Sequence, residues 1–363
     1  MTETENSFES AQEVEYPFSF TGNATEYFKI WVVNIALTLL TLGVFSAWAK
    51  VRSHRYFYGN TYLDGSSFEY LASPIAILKG RTIAVSFFAC YWIAVNFIPF
   101  LMLPVVLVFL FAFPWVVVRS MTFRARNTCY RNLRFGFNGG YAEVVKTFIL
   151  WPILIPFTIG LIWPYIHYKQ KRMLVANSEF GDTAFAFKAE PKQFYQIYVV
   201  AMIMVMVIPI VFSLVAMIMQ TVFPELAELR QNGNLDGQSN WLAISLMAVS
   251  MLGVIALQYL AYVFVKTRIA NLTYSSSVVG DGRLESRLTV AGMMWIYFSN
   301  VIAIILSVGL LVPWAKIRLA RYRAEHTSLH ARGGLDEYRG GVQHSGSALG
   351  EEAGEIFDMD ISI

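Results

Sequence analysis

One spacing occurs three times in this chain, and any fold it adopts must accommodate that spacing three times. With Gly43 as origin, Gly160 and Gly309 are its counterparts. Five residues on stands an aromatic (Trp48, Tyr165, Trp314), nine on a cation (Arg52, Lys169, Arg318) and twelve on an arginine (Arg55, Arg172, Arg321). Seventeen on stand Asn60, Asn177 and His326, followed by Thr61, Ser178 and Thr327. The register needs no gap in any copy, which is the mark of a repeated structural unit. The first two copies also agree upstream, at Phe18/Phe135, Phe20/Phe137, Gly22/Gly139, Glu26/Glu143 and Lys29/Lys146. The third copy is degenerate there, although Asn34 and Asn300 both stand nine residues before their glycine.

Charge is segregated along the chain. Only 15% of the 363 residues are charged and 56% are hydrophobic, against roughly a quarter charged in a soluble domain. No charged residue or histidine falls between Lys29 and Lys50, Arg81 and Arg119, Lys146 and His167, Lys192 and Glu225, Asp236 and Lys266, or Arg287 and Lys316. About 20 apolar residues cross a bilayer. The pattern therefore predicts a mainly α polytopic membrane protein. It would have four to seven membrane helices, three repeated helix–basic helix–β-hairpin cassettes and a small cytoplasmic β portion.

The expected divisions follow the charges. Residues 1–15 are acidic and polar, hence disordered, and the acidic start offers no basic region for a cleavable signal peptide. Residues 16–80 form the first cassette: a strand, an apolar helix over 27–47, a basic helix over 48–58 and a hairpin turning at Asp64-Gly65. Residues 81–118 form a transmembrane hairpin, 119–191 the second cassette, and 192–265 a second transmembrane hairpin with an outer loop at 223–240. Residues 266–338 form the third cassette and 339–363 a Gly-rich, acidic tail. Basic residues at span ends favour the cytoplasmic side, and only 96–104 and 224–240 lack a basic excess. Two arrangements satisfy this. Either the two hairpins give four spans and the cassettes are re-entrant or interfacial, or seven segments span with neighbouring cassettes inverted, as in inverted-repeat transporters.

Catalytic signatures are missing from the sequence. His54, His167, His326, His330 and His344 are scattered, and no HExxH, GxSxG, P-loop or CxxC occurs. Cys90 and Cys129 are isolated, which gives no disulfide framework or metal site. No catalytic, cofactor-binding or metal residue is expected, and no enzyme. Basic runs beside apolar spans suit lipid headgroups better than nucleic acid. Trp48, Arg52, Arg55, Tyr165, Lys169, Arg172, Trp314, Arg318 and Arg321 are thus candidates for gripping lipid phosphates, or else plain interfacial anchors with snorkelling cations. Gly43, Gly160 and Gly309 are hinges or helix ends. Asn34 and Asn300 are intramembrane polar groups that need partners, either by pairing or by lining a polar path.

The TLG-x4-W-x-K…R-x4-N-T pattern from Thr41, the F-x-F-x-G entry at Phe18 and the hydrophobic hairpins between cassettes resemble the bacterial inner-membrane family typified by YjgN, a domain of unknown function. The similarity runs from about Tyr16 to the acidic tail, and His326 in place of asparagine is a departure. The resemblance implies a multi-pass protein of the bacterial cytoplasmic (inner) membrane, with no established activity and no cofactor. It hints at a membrane-associated zinc metallopeptidase as partner. The function expected is a membrane scaffold or a partner- or lipid-binding protein; the alternative is a non-ion-coupled transporter, channel or lipid-handling protein.

Overall fold

The computed structural model describes residues 13–222 and 237–332. Residues 1–12 of the expected disordered start at 1–15, residues 223–236 of the expected outer loop at 223–240, and the expected tail at 339–363 lie outside the described residues; residues 13–15 belong instead to a strand and 237–240 to a helix.

The chain repeats one order of elements five times: strand, helical pair, strand. β1 (Glu13–Phe20) leads to α1 (Ala24–Leu40), α2 (Ser46–Gly59) and β2 (Thr61–Leu63). β3 (Ser66–Tyr70) leads to α3 (Pro74–Phe97), α4 (Met102–Arg126) and β4 (Thr128–Tyr130). β5 (Leu133–Phe137) leads to a broken first arm, comprising α5 (Tyr141–Val145), a π-helical turn at Lys146–Leu150 and α6 (Trp151–Ile153). That arm returns through α7 (Trp163–Ala176) to β6 (Ser178–Phe180). β7 (Thr183–Phe187), α8 (Pro191–Val222), α9 (Gly237–Ser275) and β8 (Ser277–Val279) follow, then β9 (Gly282–Ser286), α10 (Val290–Leu306), α11 (Val312–Glu325) and β10 (Thr327–Arg332).

These strands corrects the expected fold class. They are not a small β portion appended to a helical bundle. All ten form one closed antiparallel barrel, in which each strand pairs with its neighbours in sequence and β10 closes on β1. Tyr16 stands opposite Leu329 across that seam. Nor are there four to seven spans among the described residues: three helices, Pro74–Phe97, Met102–Arg126 and Met251–Ser275, are long and apolar enough to cross a membrane. The cassette helix expected over 27–47 also stops early, at Leu40, and the chain doubles back.

Antiparallel pairing of successive strands separates the connections. Four tight turns lie at one rim of the barrel, and the strand ends that lead into helices lie at the other. In the first two turns both central residues take positive φ (Asp64 46° and Gly65 71°; Arg131 47° and Asn132 63°), as a twist-matched two-residue turn requires. The pairings are short. β2 and β3 share two residue pairs, as do β4 and β5, and β1 switches from β10 to β2 after Pro17. Such stagger goes with strongly tilted strands.

The barrel interior is filled. Phe18, Leu63, Phe68, Tyr130, Phe180, Val279, Leu284, Leu329 and Ala331 form one buried cluster. Phe18 stacks on Phe68, Phe68 on Tyr130 at 4.7 Å, and Phe180 meets Phe135 at 4.9 Å. The Tyr130 hydroxyl, buried in this core, donates to the Leu63 carbonyl at 2.7 Å. At the closing seam, the His330 ring lies 2.9 Å from Glu285 and 3.8 Å from Glu15, joining β10 to both neighbours. The hydrogen bond from Arg287 holds the Glu285 carboxyl below its usual range. A depressed acid stabilises the fold above its unfolded pKa, and that contribution fades as pH falls through the folded value.

Each helical pair is tied to the barrel by the same two bonds. The first N–H after each entry strand donates to the carbonyl of the residue capping the returning helix: Thr21 to Asn60 (3.0 Å), and Leu71 to Asn127, Asn138 to Asn177, Lys188 to Ser276 and Arg287 to His326 (2.8 Å each). The next residue, the first of the return strand, folds its hydroxyl back onto the helix. Thr61 donates to Phe57, Thr128 to Arg124, Ser178 to Leu174, Ser277 to Thr273 and Thr327 to Arg323. The F-x-F-x-G entry also has a physical cause. The Phe20 and Phe137 rings lie over Gly22 and Gly139, where an added Cβ would come within 2.5 and 2.4 Å of ring carbon.

The chain divides into two compact units. Met1–Ala189, Asn271–Arg287 and Ile296–Ile363 include the whole barrel; Glu190–Ala270 and Leu288–Trp295 form the other. Within the second, α8 has 32 residues, about 48 Å at 1.5 Å per residue.

Gly139→Ala is therefore expected to cost about 1–3 kcal/mol through overpacking. Gly59→Ala, where a Cβ meets open space, should be neutral or slightly stabilising. Thermal unfolding of the purified variants in mild detergent measures both. Equal behaviour of the two would contradict the ring-over-glycine packing.

Candidate membrane interface

The three glycines of the repeated spacing occupy the tips of three helical pairs, and their backbone geometry is the same. Gly43 donates to Thr38, Gly160 to Ile155 and Gly309 to Ile304 (2.8, 2.9 and 2.8 Å). Leu42, Ile159 and Val308 donate to Leu39, Pro156 and Ile305 (3.2, 3.4 and 3.1 Å). This 6→1 and 5→2 pair is a Schellman helix end. Its left-handed residue is usually glycine, but here it is Leu42 (φ 51°), Ile159 (φ 51°) or Val308 (φ 52°), with the glycine also at positive φ just after. A bulky residue in that conformation costs about 1–2 kcal/mol. These side chains are nonetheless 96%, 92% and 92% exposed. Leu40 and Val44, Phe157 and Leu161, and Leu306 and Leu310 extend the apolar surface around each tip.

The structure sorts the sequence-derived residues into two groups. The twelfth-position arginines reach backbone. Arg55 donates to the Tyr70 and Ala72 carbonyls (3.3 Å each) where β3 ends, and Arg321 to the Gly22 carbonyl (3.0 Å) where β1 ends. Each clamps the entry of the next helical pair around the barrel. Arg172 differs, donating to the Tyr168 hydroxyl at 3.2 Å. The ninth-position cations sit nearer the tips. Lys169 lies over the Tyr165 ring at 5.2 Å and Arg318 over the Trp314 ring at 5.2 Å, cation–π contacts worth about 0.5–1 kcal/mol when exposed. Trp48 instead stacks on Phe45, and the exposed Arg52 makes no hydrogen bond or ion pair with a described residue.

Asn34 and Asn300 do not meet each other. Each amide donates within its own helical pair, Asn34 to the Ala49 carbonyl (3.3 Å) and Asn300 to the Ala315 carbonyl (3.2 Å), locking the two arms in one register. In the second copy Trp151 stands at that position and meets Tyr165 edge-on at 5.0 Å. The two asparagines differ in their oxygens. Asn300 Oδ1 accepts from Arg318 at 3.4 Å, whereas Asn34 Oδ1 is buried without a hydrogen-bond partner.

Asn60, Thr61, Asn127, Thr128, Asn177, Ser178 and Asn271 read from the sequence as caps or turns at helix-to-strand junctions. All but Asn271 stand at such a junction, where Ser276-Ser277 takes the corresponding place in the fourth pair. Sequence reasoning missed two features. One is that Ser276-Ser277 junction. The other is Arg81, which reaches from α3 to the Ser46 hydroxyl on α2. Among the described residues no group of histidine, cysteine and carboxylate side chains is placed to hold a metal.

A barrel whose interior is solid and whose helical pairs end in bare apolar tips defines a membrane protein of unknown activity. A model for the DUF898 family, described as a bacterial protein of unknown function, matches residues 15–356, and the chain belongs to that family. The inner membrane protein YjgN of Salmonella typhimurium is 24% identical over 359 residues, covering 87% of this chain and 88% of the relative. YjgN of Escherichia coli K12 is 28% identical over 170 residues, 45% of this chain and 40% of the relative. YjgN of Escherichia coli O157:H7 is 27% identical over 164 residues, with the same shares. No solved structure matches.

Asn300→Leu is expected to cost about 1–3 kcal/mol, because it removes the bonds to the Ala315 carbonyl and from Arg318. Asn34→Leu should cost measurably less, since it also removes an acceptor that is already unsatisfied. Detergent melting curves compare them, and an Asn34 loss equal to or larger than the Asn300 loss would contradict this difference.

Proposed function

We propose that this chain is an inner-membrane scaffold in which one strand–helical pair–strand unit, used five times, builds a barrel and anchors it to the bilayer. The tips of the short helical pairs are the observation that carries this reading. An isoleucine or valine at positive φ is strained, and full exposure to water would add nothing to offset that. In hydrocarbon the same side chain gains about 1.5–3 kcal/mol, which matches or exceeds the strain. The first ionisable residue after each tip stands seven positions past the glycine (Lys50, His167, Lys316), about 10 Å along a helix. That depth stays within one leaflet of a core about 30 Å thick. The tips are then re-entrant, and α3 and α4 supply a crossing pair.

The barrel is polar at its opposite rim, where Arg131 pairs with Asp64 at 2.6 Å and Asp182 and Asp281 sit in turns. Basic residues gather where helices return to strands, which favours a cytoplasmic barrel. The turn rim is the natural face for a protein partner, the membrane-associated metallopeptidase suggested by resemblance among them. The transporter and channel reading has less support. The barrel interior is occupied by aromatic rings, and Asn34, Asn96 and Asn300 bond locally rather than along a path. Supporting a non-enzymatic role, the histidines His54, His326 and His330 serve ring contacts, a helix cap and the barrel seam.

Single cysteines test this in a background with Cys90 and Cys129 replaced by serine. Leu42→Cys, Ile159→Cys and Val308→Cys should resist a membrane-impermeant maleimide from either face of the membrane until detergent is added. Asp64→Cys should react from one face only. Labelling of the tip cysteines from water would overturn the re-entrant arrangement.

A further inference from the structure

We propose that Arg52 binds the phosphate of an anionic phospholipid, and that the residue ten positions before each tip glycine decides whether the ninth-position arginine is available for this. The inference deepens the membrane reading above and rests on it. Two equivalent helical pairs place the same groups at the same register, nine before and nine after the glycine: Asn34 with Arg52, and Asn300 with Arg318. In the second of these pairs the arginine is turned inward. Arg318 donates to the Ser299 hydroxyl at 2.5 Å and to Asn300 Oδ1 at 3.4 Å, with its guanidinium over Trp314.

In the first pair the seat exists but is vacant. Asn34 Oδ1 is buried with nothing donating to it, and Asn34 is 4% exposed. The counterpart of Ser299 is Val33, which offers no hydroxyl. Trp48 stacks on Phe45 rather than under the guanidinium. All three contacts that restrain Arg318 are thus missing for Arg52, which is exposed and without an ion pair or hydrogen bond to a described residue. Arg52 lies six positions past the start of α2 and two past Lys50, the first ionisable residue after the tip, so it stands just beyond the depth at which the apolar tip ends. A guanidinium at that level offers a two-pronged donor matched to phosphate oxygens. The twelfth-position arginines are not part of the site, because Arg55 and Arg321 are committed to backbone carbonyls.

The test uses the full chain in mild detergent. Phosphatidylglycerol or phosphatidylcholine is added at equal concentration, and retained lipid is counted by native mass spectrometry. Wild type should prefer phosphatidylglycerol about fivefold, the effect of one basic side chain at an anionic surface. Arg52→Gln should abolish the preference. Val33→Ser, which changes no charge, should turn Arg52 inward and reduce the preference as well. Ser299→Val should release Arg318 and raise it. No preference in wild type, or a preference unaltered in Arg52→Gln and Val33→Ser, would overturn the proposal. Inorganic phosphate displacing phosphatidylglycerol at equal concentration would reassign the site to free phosphate and overturn the lipid assignment. Failure here with the tip cysteines still protected would sink this inference alone; tip cysteines labelled from water would remove the membrane reading first.

Discussion

A single backbone hydrogen bond, repeated around the barrel, is the contact on which the rest of the structure depends. It runs from the first amide after an entry strand to the carbonyl that caps the returning helix, and it recurs at all five helical pairs. Taken singly it contributes about 0.5–1.5 kcal/mol. Its larger effect is on register. Strands that share only two or three residue pairs cannot hold one alignment by pairing alone, since a one-residue slip would turn the aromatic face outward. Fixing each strand to a helix end removes that freedom. The neighbouring hydroxyl bonds and the Arg55 and Arg321 clamps act at the same rim.

That rim also divides the molecule's chemistry. On one side of it the barrel carries acidic and basic turns and a clasp of Glu15, His330, Glu285 and Arg287 across its closing strands. On the other, the short helical pairs lose ionisable groups within a few residues of their tips and end in strained, exposed aliphatic side chains. With its interior filled by Phe18, Phe68, Tyr130 and Phe180, the barrel has a packed core rather than a lumen, which is what its proposed role as a hub draws on. What it positions is a set of apolar hairpins, and that is the basis for placing it at a membrane.

Much of this was legible in the sequence, and what was not has identifiable causes. The ungapped spacing from Gly43 through Trp48 and Arg55 to Asn60-Thr61 located the tip, the returning helix and its cap, and Asp64-Gly65 located a tight turn. The doubling back at Leu42 was hidden because a leucine at positive φ is a choice that local propensity disfavours, so residues 27–47 read as one helix. The barrel was hidden for two reasons. Strands of three residues such as Thr61–Leu63 or Ser178–Phe180 are too short to show alternation, and the closing partners β1 and β10 lie at opposite ends of the described chain. Arg55 and Arg321 read from the sequence as candidates for lipid phosphates or as interfacial anchors; the backbone carbonyls they reach leave no trace in a sequence.

The closed barrel is the claim from which the hub, the tied helical pairs and the placement of the tips all follow, and its seam is the place to test it. Glu15 and His330 are directly opposed across β1 and β10, and opposed residues in an antiparallel pair lie within disulfide range. The double variant Glu15→Cys, His330→Cys, made without the native cysteines, should form an intramolecular disulfide under mild oxidation, seen as a reductant-sensitive mobility shift of the monomer. Shifting one cysteine along the strand to Ser328 should abolish it. If the opposed pair stays reduced, or bridges only between molecules, the barrel is open and the account fails.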